Sequence, residues 1–160
     1  MKASEKMAKE SAYQSKRQQV LAARPEDMGL ALEDDGEVYA ALVDFKVPMG
    51  RVCLECRMDG TVGFYYSLGG GLMNMAKKHE DVRVAGVHFL KGAASALSYL
   101  GPAMSFEPSE AACTAFLLAK NCIYRADFDT ENMQEQPGHI QFLNGLIQTV
   151  LKALRAHSDE

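Results

Sequence analysis

A chain of 160 residues, 48% hydrophobic and 24% charged, is long enough to bury its own core without staples. Its formal net charge of −4 and pI near 5.6 exclude phosphate-backbone binding as the main activity, because that needs a clustered positive surface. No window approaches roughly 18 apolar residues, so no membrane span is expected, and the polar N-terminus lacks the apolar stretch of a secretory leader. A cytoplasmic protein is expected.

Residues 4–24 predict a weakly amphipathic helix that Arg24-Pro25 ends. Its apolar stripe is thin (Tyr13, Val20 and Leu21). Lys2, Lys6, Lys9, Lys16 and Arg17 are interleaved with Glu5 and Glu10, the pattern of a solvated face rather than a nucleic-acid or lipid arm. Residues 1–25 are therefore set apart as an N-terminal helix, ahead of one α+β domain over residues 26–160.

Residues 30–36 form a turn-rich connection with the acidic run Glu33-Asp34-Asp35. A strand follows over residues 37–47. The unbroken apolar run from Val38 to Val43 predicts a central strand covered on both faces, and Pro48-Met49-Gly50 turns the chain.

Two alternating segments come next. Val52, Leu54, Cys56 and Met58 face one way in the first; Val62, Phe64, Tyr66 and Leu68 do so in the second. Asp59-Gly60 invites a two-residue turn, but that register puts the two apolar sets on opposite faces. A three-residue loop, Met58-Asp59-Gly60, pairs Cys56 with Val62 and Leu54 with Phe64, with Gly60 in the left-handed position. The same geometry disposes of Cys53-Leu54-Glu55-Cys56 as a metal or redox motif. Residues three apart in a strand point to opposite faces. With Cys113 and Cys122 they are expected to be free structural thiols.

Gly69-Gly70-Gly71 is expected to lead from strand into helix. Such a corner serves positive φ, and it can also cradle an anion with backbone N–H groups, although the Lys-Ser/Thr of a P-loop is missing. Residues 82–100 predict a slim helix, with Gly86 and Gly92 allowing close approach to a sheet, stopped by Gly101-Pro102. A second hairpin turns at Lys120-Asn121 and sets Cys113, Ala115 and Leu117 against Phe128, Ala126 and Tyr124. After a polar linker, residues 139–155 predict the strongest helix, with Ile140, Leu143, Ile147, Val150, Leu151 and Leu154 on one stripe. The fold class is α+β: a five-stranded antiparallel sheet in the order α-βββ-α-ββ-α, with helices packed on it.

No catalytic residues, cofactor or metal ligands are expected from spacing; His79, His88, His139 and His157 form no metal motif. The ligand-site candidates are Ser67, Gly69, Gly70, Gly71 and His79, at or near the glycine corner. Phe142, Leu146 and Ala153 give the last helix more apolar surface than one core contact needs. They are the candidate face for self-association or a protein partner, unless the N-terminal helix covers them.

The stretch Asp59-Gly60-Thr61-Val62-Gly63-Phe64-Tyr65-Tyr66-Ser67-Leu68-Gly69-Gly70-Gly71 resembles a family of small uncharacterised bacterial proteins with a DGTxSLYxSxGGG segment. It departs from that pattern at Gly63 and Leu68, and the resemblance implies no catalytic residues. The element order also resembles that of class I secretion chaperones, which are dimers that bind extended client segments. A non-enzymatic, homodimeric protein-binding domain is the expected function. The alternative is a small-ligand or anion-binding protein, or a minor enzyme, using the glycine corner.

Overall fold

The computed structural model describes residues 2–158. In chain order the elements are α1 (Ala3–Leu21), β1 (Val38–Val47), β2 (Gly50–Arg57), β3 (Val62–Tyr66) and β4 (Gly71–Leu72). There follow α2 (Met75–Lys78), α3 (Glu80–Ala93), β5 (Gly101–Pro102), β6 (Cys113–Ala119), β7 (Ile123–Phe128) and α4 (Gly138–Ala156), with short 3-10 turns between. The strands make one antiparallel sheet in the order β4-β3-β2-β1-β6-β7-β5. The α+β class and antiparallel sheet are as expected; the strand count is not. Seven strands replace five, because β4 and β5 are two-residue edge pieces too short to show a period of their own.

β1 lies at the centre and is buried from Val38 to Asp44. A bulge between Val38 and Ala40 shifts its register against β6. As a result Val38, Ala41 and Val43 join the core under α3 and α4, while Tyr39, Ala40 and Leu42 join a second core under α1. The continuous apolar run is the sequence trace of a strand with helices on both sides.

The β2–β3 hairpin adopts the three-residue register. Cys56 opposes Val62, Leu54 opposes Phe64, and Val52 opposes Tyr66. Gly60 sits at φ +97° and donates its N–H to the Arg57 carbonyl. Cys53 and Cys56 consequently belong to different cores, one on each side of the sheet.

Gly69 and Gly70 do not lead into a helix. They close a second reversal, with φ of +100° and +81°. The Gly69 N–H donates to Tyr66 O, and the Tyr66 N–H donates to Gly70 O. Gly71 then pairs with Tyr65 as β4, so close to β3 that a Cβ on it would stand 2.1 Å from Phe64 O.

The helix expected over residues 82–100 begins at Glu80, and its α-helical part ends at Ala93. Residues Ala94–Tyr99 tighten into a 3-10 turn as the Ser95 hydroxyl donates to the Gly92 carbonyl. Gly86 does lie against the sheet, where a Cβ would meet Val62 at 2.6 Å. Gly92 instead accommodates Leu146 of α4, at 2.7 Å.

Candidate functional site

Arg17 and Lys16 do not form the solvated face expected of them. Tyr13, Arg17 and Val20, at i, i+4 and i+7, are the buried stripe of α1. Arg17 reaches Asp44 through Nε at 2.8 Å and Nη2 at 2.9 Å, and also donates to Phe106 O at 2.7 Å. Tyr13 Oη adds a bond to Asp44 at 3.3 Å. One strand over, Glu55 is buried and accepts from Arg57 Nε at 2.5 Å and Tyr65 Oη at 3.1 Å. Lys16 Nζ stands 3.3 Å from the same carboxylate.

Asp44 lies in a cross-strand row, Asp127–Thr114–Asp44–Cys53–Tyr65, that crosses five strands on the α1 side. Each polar group in the row has a partner, and buried pairing of this kind orients one element on another. The signals were present in the sequence: a Tyr-x3-Arg-x2-Val spacing in α1, and lone carboxylates flanked by apolar residues in β1 and β2.

The row does not assemble a nucleophile. Burial, then the nearby Asp44 carboxylate, pushes the Cys53 thiol up to about 12. Burial also holds Cys56 and Cys113 well above the ordinary thiol range. All three stay protonated at neutral pH, and a thiol is a poor nucleophile.

Ser67 and Gly69–Gly71 share one strand reversal, and His79 is not among the residues that close it. The Ser67 hydroxyl accepts the Arg51 N–H at 2.9 Å, fastening the turn to β2, and Gly69 lies against the Lys9 side chain. A recess of about 510 Å3 opens beside Ser67, with Lys6, Lys46 and Arg51 set against Glu10 and Glu107 in its walls. His79 is elsewhere, with its ring stacked on His157. The positive φ of Gly69 and Gly70 and the close approach at Gly71 account for the glycines structurally.

The partner-face residues also separate. Leu146 is buried against α3, Ala153 is half-buried on the core, and Phe142 alone is exposed. Tyr99 is exposed and stacks on His139, one helical turn before Phe142 in α4, with centroids 4.9 Å apart.

A second opening, lined mainly by apolar side chains, lies between the sheet and the last turns of α4. Here a groove of about 420 Å3 is walled by Phe45, Val52, Phe64 and Tyr66 from the sheet and by Leu151 and Leu154 from α4. Lys46 and Arg155 add positive charge to its lining. Sequence periodicity marked the apolar side chains of this wall as core. It carried no signal that the helix would leave part of the sheet uncovered.

No helix among the described residues is long and apolar enough to cross a membrane. Compared with protein-family models, curated proteins and solved structures, the chain matches none.

Proposed function

We propose that this chain is a non-catalytic binding domain that takes an apolar segment of a protein partner in the groove between the sheet and α4. The observation that carries the reading is the groove itself: a mainly aromatic and aliphatic cleft with two cations in its lining. Arg155, and Lys46 in exchange for its exposed partner Glu110, favour a segment that sets an acidic residue beside its apolar ones. Strand addition is the poorer mode, because the two-residue strands β4 and β5 occupy the sheet edges and Pro102 removes a donor from one of them. Buried Asp44 and Glu55 are tied up in ion pairs rather than poised as acid and base.

The test is a photo-crosslinking residue placed at Gln148, in the groove wall, and at Lys152, on the exposed side of α4. In the source cell, position 148 should give discrete protein adducts and position 152 should not. Equal labelling, or none at 148, contradicts the reading.

Self-association is a second reading, favoured by the exposure of Phe142 on α4 and of Tyr99 stacked on His139 of the same helix. Light scattering after gel filtration should then report a dimer that Phe142→Lys converts to monomer. A monomeric parent chain rejects it.

A further inference from the structure

The fold assembles a cluster that spacing along the chain conceals. His79 is the N-cap residue of α3, Asp81 lies in the first turn of that helix, and His157 follows the last turn of α4. One ligand atom from each of the three lies within 4.8 Å of the other two. His157 Nε2 stands 2.9 and 3.0 Å from the Asp81 oxygens. Its ring stacks on that of His79 with centroids 3.6 Å apart and planes 13° from parallel. The histidines are half-buried and Asp81 is exposed.

The geometry points to a site for a divalent transition-metal ion of the zinc type, held by His79, Asp81 and His157 with a fourth position left to water. Two imidazoles and a carboxylate are the donors that such ions prefer, and three protein ligands with an open position is an established zinc arrangement. Bonds of about 2.0–2.2 Å set the donors of a tetrahedral site ~3.4 Å apart. The Asp81–His157 contact therefore widens by only a few tenths of an ångström as the metal replaces the proton between them. One of the near-parallel rings tilts so that both lone pairs converge. Magnesium and calcium, which take six or more mainly oxygen ligands, suit this set poorly.

An ion pair alone explains part of the cluster. Asp81 sits at the positive end of α3 and His157 at the negative end of α4, which favours both charges. A metal ion employs both rings in the neutral form.

The test is calorimetric titration of the tag-free full chain with zinc, beside cobalt(II) absorption spectroscopy. One equivalent of zinc should bind and raise the melting temperature, and magnesium should do neither. Cobalt should show tetrahedral visible bands without thiolate charge transfer. Outer-shell groups alone are worth about 10–100-fold in affinity, so Asp81→Asn, His157→Gln and His79→Ala should each weaken binding at least about tenfold. Cys122→Ser should leave it unchanged. Asp81→Asn and His157→Gln alter partly or fully exposed groups and keep the test decisive if His79→Ala unfolds. No zinc binding, binding undiminished in both exposed variants, or binding lost in Cys122→Ser overturns the site.

Discussion

At the scale of residues, the buried Arg17–Asp44 pair is one of the contacts that hold α1. Burial disfavours the guanidinium charge, but the hydrogen bonds and charge of Asp44 outweigh that and raise the Arg17 pKa. Removing one partner of a buried pair leaves the other uncompensated, so Arg17→Ala should destabilise the fold by about 3–5 kcal/mol in urea unfolding. Arg17→Met with Asp44→Leu should recover much of that loss; a double variant no better than Arg17→Ala contradicts the pairing account. Thiol labelling checks the cysteines. One of the 4, half-exposed Cys122, should react in the native protein, and Cys53, Cys56 and Cys113 only on unfolding. At Asp127, burial acts to raise the carboxyl pKa, but hydrogen bonds from Arg125, Ser109 and Thr114 prevail and the net shift is downward. A depressed folded-state pKa lends stability above the ordinary carboxylate range and loses it as pH falls through the depressed value. Urea midpoints should therefore fall less between neutral pH and about pH 3 in Asp127→Asn than in the parent. These contacts were only half legible in the sequence. Residue types and spacings were visible, but which helix cation meets which strand carboxylate depends on where α1 lands.

At the scale of elements, the glycines separate conformation from crowding. Gly70→Ala puts a side chain at φ +81° with nothing near its Cβ, which should cost about 1–2 kcal/mol. Gly71→Ala places a Cβ against the Phe64 carbonyl, so it should displace β4 and cost more than Gly70→Ala. Amide exchange at Tyr65 and Leu72 reads that difference, and equal protection in the two variants would contradict it. Hairpin registers were legible because burial of one face leaves a single parity open: both the β2–β3 register and the turn at Lys120-Asn121 follow from it. The role of the triple glycine was not. A strand-to-helix corner and a strand reversal use the same residues, and only the two-residue β4 distinguishes them. Leu146 shows a related limit, since a helix stripe does not reveal whether its extra width meets a neighbouring helix or a second chain.

At the scale of the whole molecule, the sheet lies between α1 on one side and α3 with α4 on the other. The two covers differ in chemistry: buried ion pairs add to an apolar core in seating α1, while the core under α3 and α4 is apolar. The α+β class was legible from periodicity, and so was each strand long enough to show one. The groove was not, because it arises from how far α4 extends over the sheet. Gln148→Trp should fill the groove from the α4 side without touching the α1 clamp. The decisive measurement is equilibrium binding, by fluorescence anisotropy, of peptides selected from a random library on the parent chain. Peptides rich in apolar residues with a nearby Asp or Glu should bind the parent and lose at least about tenfold in affinity, ~1.4 kcal/mol, against Gln148→Trp. Peptides of unrelated composition, or affinities unchanged by that substitution, would contradict a binding groove beneath α4.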